Sequence, residues 1–164
     1  MEATLHSPVK LAVIYGVLIS LISIALTMVF YITQWSSDLW TGYISNAVLF
    51  VGILIFVIHV NKAMGGRASL GNLFGMGLLA AGIAIVIVAS ATIIFHLATE
   101  PPAGTTGNLP SDGARMSEYS ASKREGFWIF LLGNTFVTNA VLGGLAALLG
   151  AVTVKRNQKT TDAR

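Results

Sequence analysis

Residues 68–99 read ASLGNLFGMGLLAAGIAIVIVASATIIFHLAT, a run of 32 residues without one Asp, Glu, Lys or Arg. Three further stretches share this property, at residues 11–37, 39–61 and 126–154. An α-helix needs about 20 apolar residues to cross about 30 Å of hydrocarbon, and each of the four stretches is longer. Because a helix also satisfies its own backbone hydrogen bonds, which lipid cannot do, each stretch predicts a transmembrane helix.

The composition of the whole chain agrees with a membrane protein. Hydrophobic residues make up 54% of the 164 residues and charged residues only 10%, whereas soluble domains carry about 25% charged residues. A disordered tail, a nucleic-acid-binding module and an ordinary soluble enzyme are therefore excluded. We predict an all-α, integral membrane protein, an up-down bundle of four transmembrane helices that forms a single membrane domain over residues 1–164. The helices are expected near residues 11–33, 42–60, 70–98 and 127–154, with an extramembrane loop at 99–126.

The first apolar stretch has one feature of a cleaved signal peptide, because Lys10 precedes it. The stretch is too long for a signal peptide, however, and residues 31–35 (YITQW) lack a small-x-small cleavage site. We therefore expect the first helix to be retained in the membrane.

The basic residues predict the orientation of the bundle. Four helices place both termini on one side of the membrane, and seven of the ten Lys and Arg residues fall on that side. By the positive-inside rule, the N- and C-termini are expected to be cytoplasmic. All three tryptophans then lie at the outer ends of helices, at the headgroup level that indole rings prefer. The seven are Lys10, Lys62, Arg67, Lys155, Arg156, Lys159 and Arg164, and the other three are Arg115, Lys123 and Arg124.

Each predicted helix carries a stripe of small residues. Lipid tails are as apolar as leucine, so transmembrane helices associate largely through small residues that let backbones approach and through interhelical hydrogen bonds. These stripes are interpreted either as helix packing within one bundle or, on the third or fourth helix, as a contact with another subunit. The packing candidates are Gly16, Ser20, Gly52, Gly71, Gly75, Gly82 and Gly143, of which Gly71 and Gly75 form a GxxxG motif.

Polar side chains inside the predicted helices are few. Asn134, Thr135, Thr138 and Asn139 form the most polar patch, in the outer half of the fourth helix. This patch is interpreted as interhelical hydrogen bonding or as a small polar cavity that binds a ligand.

The intramembrane histidines are His59, near the inner end of the second helix, and His96, near the outer end of the third. Most of the bilayer is expected to separate them, so they cannot share a metal ion. Each is interpreted as a hydrogen-bonding group or, alternatively, as part of a proton relay.

The sequence contains no catalytic or cofactor-binding motif of a known kind. The predicted spans lack carboxylates, the acidic residues of the third loop have no metal-ligand spacing, and there are no cysteines. We therefore expect no catalytic residue, no metal site, no cofactor and no nucleic-acid partner. Asn and Thr side chains are poor acids and bases, so catalysis at the polar patch is not expected either.

The segment that opens the third helix resembles a known bacterial family. Residues 65–77 (GGRASLGNLFGMG) are similar to a recurring segment of domain-of-unknown-function family 4199, a family of small four-helix membrane proteins. The glycines at 143–144 and the basic residues at 155–156 also resemble the family's last helix. The resemblance implies a four-helix fold in the bacterial inner membrane, but no activity and no functional residue.

These observations favour a non-enzymatic membrane protein, an accessory or structural subunit of a membrane assembly. Its expected partners are the lipid bilayer and either copies of itself or other membrane subunits. The alternative is a small transporter or channel that uses the polar patch of the fourth helix.

Overall fold

The computed structural model describes residues 7–33, 39–99, 133 and 136–158 of the chain. These residues form four helices: α1 (Pro8–Ile32), α2 (Leu39–Ala63), α3 (Leu70–Thr99) and α4 (Phe136–Gln158). Each helix is long and apolar enough to cross a membrane, and no strand occurs among the described residues. The predicted all-α fold with four transmembrane helices is confirmed.

The observed helix bounds differ from the predicted ones. Helix α2 covers residues 39–63 instead of 42–60, and α4 continues to Gln158 instead of ending at 154. The predictions placed the inner ends of both helices just before the first charged residue. Lys, Arg, Asn and Gln are tolerated in helices, so α2 and α4 extend past the hydrocarbon into the polar region. The predicted start of the fourth helix, and all of loop 99–126 except Thr99, lie outside the described residues.

Contacts between the helices establish the up-down arrangement. Helix α1 runs antiparallel to α2, because Tyr15 near its start contacts His59 while Phe30 near its end contacts Trp40. Helix α4 runs antiparallel to α3, because Gly143 lies against Ala81 while Ala147 lies against Gly77. It runs parallel to α2, because Gly150 lies against Val57 and Gln158 bonds Asn61. Helix α1 also packs along α3.

The interior of the bundle combines large side chains on α2 with small ones on α3 and α4. Ile53, Phe56 and Val57 of α2 are fully buried. The facing positions of α3 and α4 are mostly alanines, which let these two helices approach closely. Large apolar side chains cover the outside of all four helices, as expected for a surface in contact with lipid. The buried alanines of α3 and α4 are Ala80, Ala81, Ala84, Ala89, Ala146, Ala147 and Ala151.

The turn between α2 and α3 is determined by local sequence. Gly65 and Gly66 have φ values of 71° and 73°, a left-handed conformation that glycine adopts without steric cost. The Gly66 amide donates to the Asn61 carbonyl and the Gly65 amide to the Lys62 carbonyl, which is a Schellman motif. The Ser69 hydroxyl accepts a hydrogen bond from the Asn72 amide at 3.2 Å and so caps α3.

Candidate functional site

Four of the seven packing candidates lie inside the bundle. A Cβ atom at Gly16 would lie 2.9 Å from the Ala80 carbonyl oxygen, so α1 and α3 touch backbone to backbone. A Cβ at Gly52 would meet Ile19 of α1 at 2.7 Å, and one at Gly143 would meet Ala81 of α3 at 2.8 Å. These glycines are sites where two helices approach too closely for a larger residue. The fourth candidate, Ser20, is fully buried and donates to the Val17 carbonyl at 2.8 Å.

Two further glycines pack in the same way and were missed by the sequence analysis. A Cβ at Gly77 would lie 2.6 Å from Ala147 Cβ, and one at Gly150 would lie 3.1 Å from Val57 Cβ. The signal was present, since Gly150 follows Gly143 by seven residues, the interval that keeps one helix face turned to a partner. Together these contacts join α4 to both α3 and α2.

The remaining three candidates lie on the outside of α3. Apart from the neighbouring backbone of α3 itself, no described atom comes within 4 Å of a Cβ atom built on Gly71, Gly75 or Gly82, and all three residues are exposed. At about 100° per residue they lie within about 40° of one another around the helix, so they form one face. We call these three residues the glycine face. Beside Gly82, a shallow apolar groove of about 340 Å³ is lined by Leu79, Ile83, Val86 and Ile87.

Polar side chains from three helices meet in a cavity in the half of the bundle away from the α2–α3 turn. Its volume is about 150 Å³, and Leu49, Ala84, Ile85 and Val88 complete its wall. We call it the polar cavity. Its polar lining consists of Ser23 and Thr27 from α1, Ser45 and Asn46 from α2, and Asn139 from α4.

The polar cavity contains part of the predicted polar patch. Asn139 lines it, whereas Thr138 is half-buried and is not among its lining residues. Asn134 and Thr135 lie outside the described residues. Asn46 was not predicted from the sequence, because one Asn in an apolar helix is not distinguishable from an isolated interfacial residue.

The chemistry of the polar cavity is that of neutral hydrogen-bonding groups. The Thr27 and Ser45 hydroxyls donate to carbonyls of their own helices, at Ser23 and Thr41, and their oxygens keep acceptor capacity. Asn46 and Asn139 contribute carboxamides, which both donate and accept. Such a lining suits water or a small uncharged polar molecule, and it has no group suited to acid–base catalysis.

His59 makes a specific contact near the end of the bundle where α1 begins. Its Nδ1 atom is 3.0 Å from the Tyr15 hydroxyl oxygen, so a hydrogen bond joins α2 to α1. The Tyr15 ring also packs on Phe56, with ring centroids 5.2 Å apart. The side chain of His96 lies outside the described part of the structure, and within that part no three His, Cys, Asp or Glu residues come together.

Comparison of the chain with protein-family models, curated proteins and solved structures finds no match. The four apolar spans therefore carry the general conclusion by themselves: this chain is a multi-pass membrane protein.

Proposed function

We propose that this protein is a non-enzymatic subunit, accessory or structural, of a membrane assembly. The observation that carries the proposal is the glycine face of α3, where a Cβ atom added at any of the three glycines would meet no described atom of another helix within 4 Å. Each glycine inside a helix costs about 1 kcal/mol relative to alanine. Gly16, Gly52, Gly77, Gly143 and Gly150 offset that cost by close packing within the bundle, but the glycine face does not.

A partner helix would explain the glycine face. In lipid, small residues at four- and seven-residue intervals allow two helix backbones to approach, and the resulting packing is a main source of association. The apolar groove beside Gly82 offers space for side chains of that partner. The partner is another transmembrane helix, from a second copy of this chain or from a different membrane protein.

Photocrosslinking in native membranes, with a benzophenone maleimide attached to one introduced cysteine, tests the proposal, because the chain contains no cysteine of its own. Leu79→Cys places a thiol beside the glycine face, and Ile55→Cys places one on the exposed side of α2 as a matched control. We expect Leu79→Cys to give a crosslinked species and Ile55→Cys to give none. Gly75→Leu, added to Leu79→Cys, should abolish the crosslink.

The mass of the crosslinked species identifies the partner as a second copy or a different protein. If neither labelled cysteine crosslinks, and if the protein purified from native membranes in mild detergent is a monomer without other subunits, the proposal is refuted.

The polar cavity supports a second candidate function, a small transporter or channel for uncharged polar molecules. Five neutral polar side chains from three helices converge within the membrane-spanning region, an arrangement that lipid contact alone does not explain. Asn139 is the residue that α4 contributes.

Permeation of water, urea and glycerol into proteoliposomes tests this candidate. Flux should exceed that of protein-free liposomes and should fall to their level in Asn139→Leu. Ser90→Ala, which removes an exposed hydroxyl of α3 outside the cavity, is the control and should leave the flux unchanged. Wild-type flux equal to that of protein-free liposomes would eliminate the candidate.

The proposed location is the bacterial inner membrane, with both termini in the cytoplasm. The distribution of seven basic residues against three supports this orientation. A green fluorescent protein fused after Arg164 should fluoresce. A fusion that inserts into the membrane but does not fluoresce would show that the C-terminus is not cytoplasmic. The resemblance to family 4199 stays a prediction.

A further inference from the structure

Three basic side chains converge on one pocket at the end of the bundle where α2 and α4 terminate. Lys62 comes from the last turn of α2, Arg67 from the connection to α3, and Lys155 from the last turn of α4. The pocket has a volume of about 660 Å³. We call it the basic pocket. It is independent of both the glycine face and the polar cavity, which involve other residues.

The wall of the basic pocket is held in place by specific bonds. The Gln158 side-chain amide donates to the Asn61 side-chain oxygen at 2.8 Å and ties the end of α4 to the end of α2. Asn61 is itself buried, with 9% of its surface exposed. The Schellman turn at Gly65 and Gly66 forms another side of the pocket. The pocket is therefore part of the folded bundle and does not depend on a loose arrangement of side chains.

The charges around the basic pocket are uncompensated within the described residues, which contain no Asp or Glu at all. The negative end of a helix dipole stabilises a cation in the last turn, which accounts in part for the positions of Lys62 and Lys155. Arg67 lies beyond the end of α2 and has no such explanation. Three like charges at one pocket repel one another, and a bound anion would remove that repulsion.

We propose that the basic pocket binds a phosphate group. Arg offers paired N–H donors that match phosphate oxygens, and Lys contributes compact positive charge. Basic pockets between transmembrane helices commonly hold anionic headgroups. Apolar Ile58 and Val154 line the same pocket and could contact the start of an acyl chain. The phosphate therefore comes from an anionic phospholipid or, without that apolar contact, from a soluble phosphate compound.

Native mass spectrometry of the full chain in detergent tests the proposal. The protein is titrated with phosphatidylglycerol, with cardiolipin and with phosphatidylcholine, whose choline group cancels the phosphate charge. Removal of one cation at a membrane surface weakens binding of an anionic lipid by about fivefold. We expect Arg67→Gln to lower the affinity for phosphatidylglycerol and cardiolipin by about fivefold. The triple variant Arg67→Gln, Lys62→Gln and Lys155→Gln should lower it by about a hundredfold in total.

Lys10→Gln is the matched control, since Lys10 is an exposed cation at the same end of the bundle but outside the basic pocket. It should change binding by less than twofold. A variant that keeps the charge, Lys62→Arg with Lys155→Arg, should bind as the wild type does, which shows that a loss in the Gln variants is not misfolding.

A second titration distinguishes the source of the phosphate. Inorganic pyrophosphate is added to lipid-free protein, and its binding is measured by calorimetry. Preference for phosphatidylglycerol or cardiolipin, with no pyrophosphate binding, supports a lipid site, and pyrophosphate binding that Arg67→Gln weakens supports a soluble ligand. The proposal would be overturned if the protein binds in neither titration, or if it binds phosphatidylcholine as tightly as the anionic lipids. It would also be overturned if Lys10→Gln and Arg67→Gln lower the affinity equally.

Discussion

Adding one methyl group at Gly77 and, separately, at Gly75 measures how tightly α3 and α4 are packed. The two glycines are two residues apart in α3 but face opposite environments. A Cβ at Gly77 would lie 2.6 Å from Ala147 Cβ and 3.2 Å from Val57 Cγ2, whereas a Cβ at Gly75 would have no described atom of another helix within 4 Å. Gly77→Ala and Gly75→Ala are therefore a matched pair.

The expected difference follows from these distances. Carbon atoms in contact are normally about 3.5–4.0 Å apart, so Gly77→Ala forces α4 away from α3 by about 1 Å. Overpacking of this kind costs about 1–3 kcal/mol. Both substitutions also gain about 1 kcal/mol of helix propensity, and this gain cancels in the comparison. Gly77→Ala should thus be less stable than Gly75→Ala by about 1–3 kcal/mol.

Equilibrium unfolding in mixed dodecylmaltoside and dodecylsulfate micelles, followed by circular dichroism, measures the two free energies of unfolding. The titration is repeated at tenfold lower protein concentration, so that any effect of Gly75→Ala on association is recognised as a concentration dependence. If Gly77→Ala is as stable as Gly75→Ala or more stable, the inference that α3 and α4 pack closely at Gly77 is refuted.

Three local features of the fold are tested by further substitutions, each with the same unfolding measurement. Gly65→Ala should cost about 1–2 kcal/mol, because alanine is strained at a φ of 71°, and Gly71→Ala should cost nothing. Ser69→Ala removes the cap of α3 and should cost about 1 kcal/mol, and an unchanged stability would show that the cap is dispensable. Tyr15→Phe should cost about 0.6 kcal/mol, and the cost should disappear when His59 is already replaced by Phe.

The number and type of the helices could be predicted from the sequence because the signal is strong and local. A stretch without charges, long enough to span the hydrocarbon, has few alternatives to a helix in lipid. The turn between α2 and α3 was also predictable, since Gly65, Gly66 and Ser69 act through backbone geometry and one short hydrogen bond. The helix ends were less predictable because a charged residue ends a hydrophobic span but does not end a helix.

The division of the glycines between the inside and the outside of the bundle could not be predicted. In a soluble protein a polar face would mark the outside of each helix, but in lipid both faces are apolar. Gly75 and Gly77 therefore have the same sequence context, and only the position of α4 shows that one is exposed and the other packed.

The sequence by itself determined that this protein is a four-helix membrane protein. A stretch without charges that is long enough to span the hydrocarbon, and that must satisfy its own backbone hydrogen bonds there, forms a transmembrane helix. The tertiary structure alone decided which residues meet across helices. It brought Asn139 to Ser23 and Asn46 in the polar cavity, gathered Lys62, Arg67 and Lys155 at the basic pocket, and left the glycine face of α3 open. These sites are made by residues far apart in the chain, and helices without a polar face carry no local signal of which neighbour they will contact.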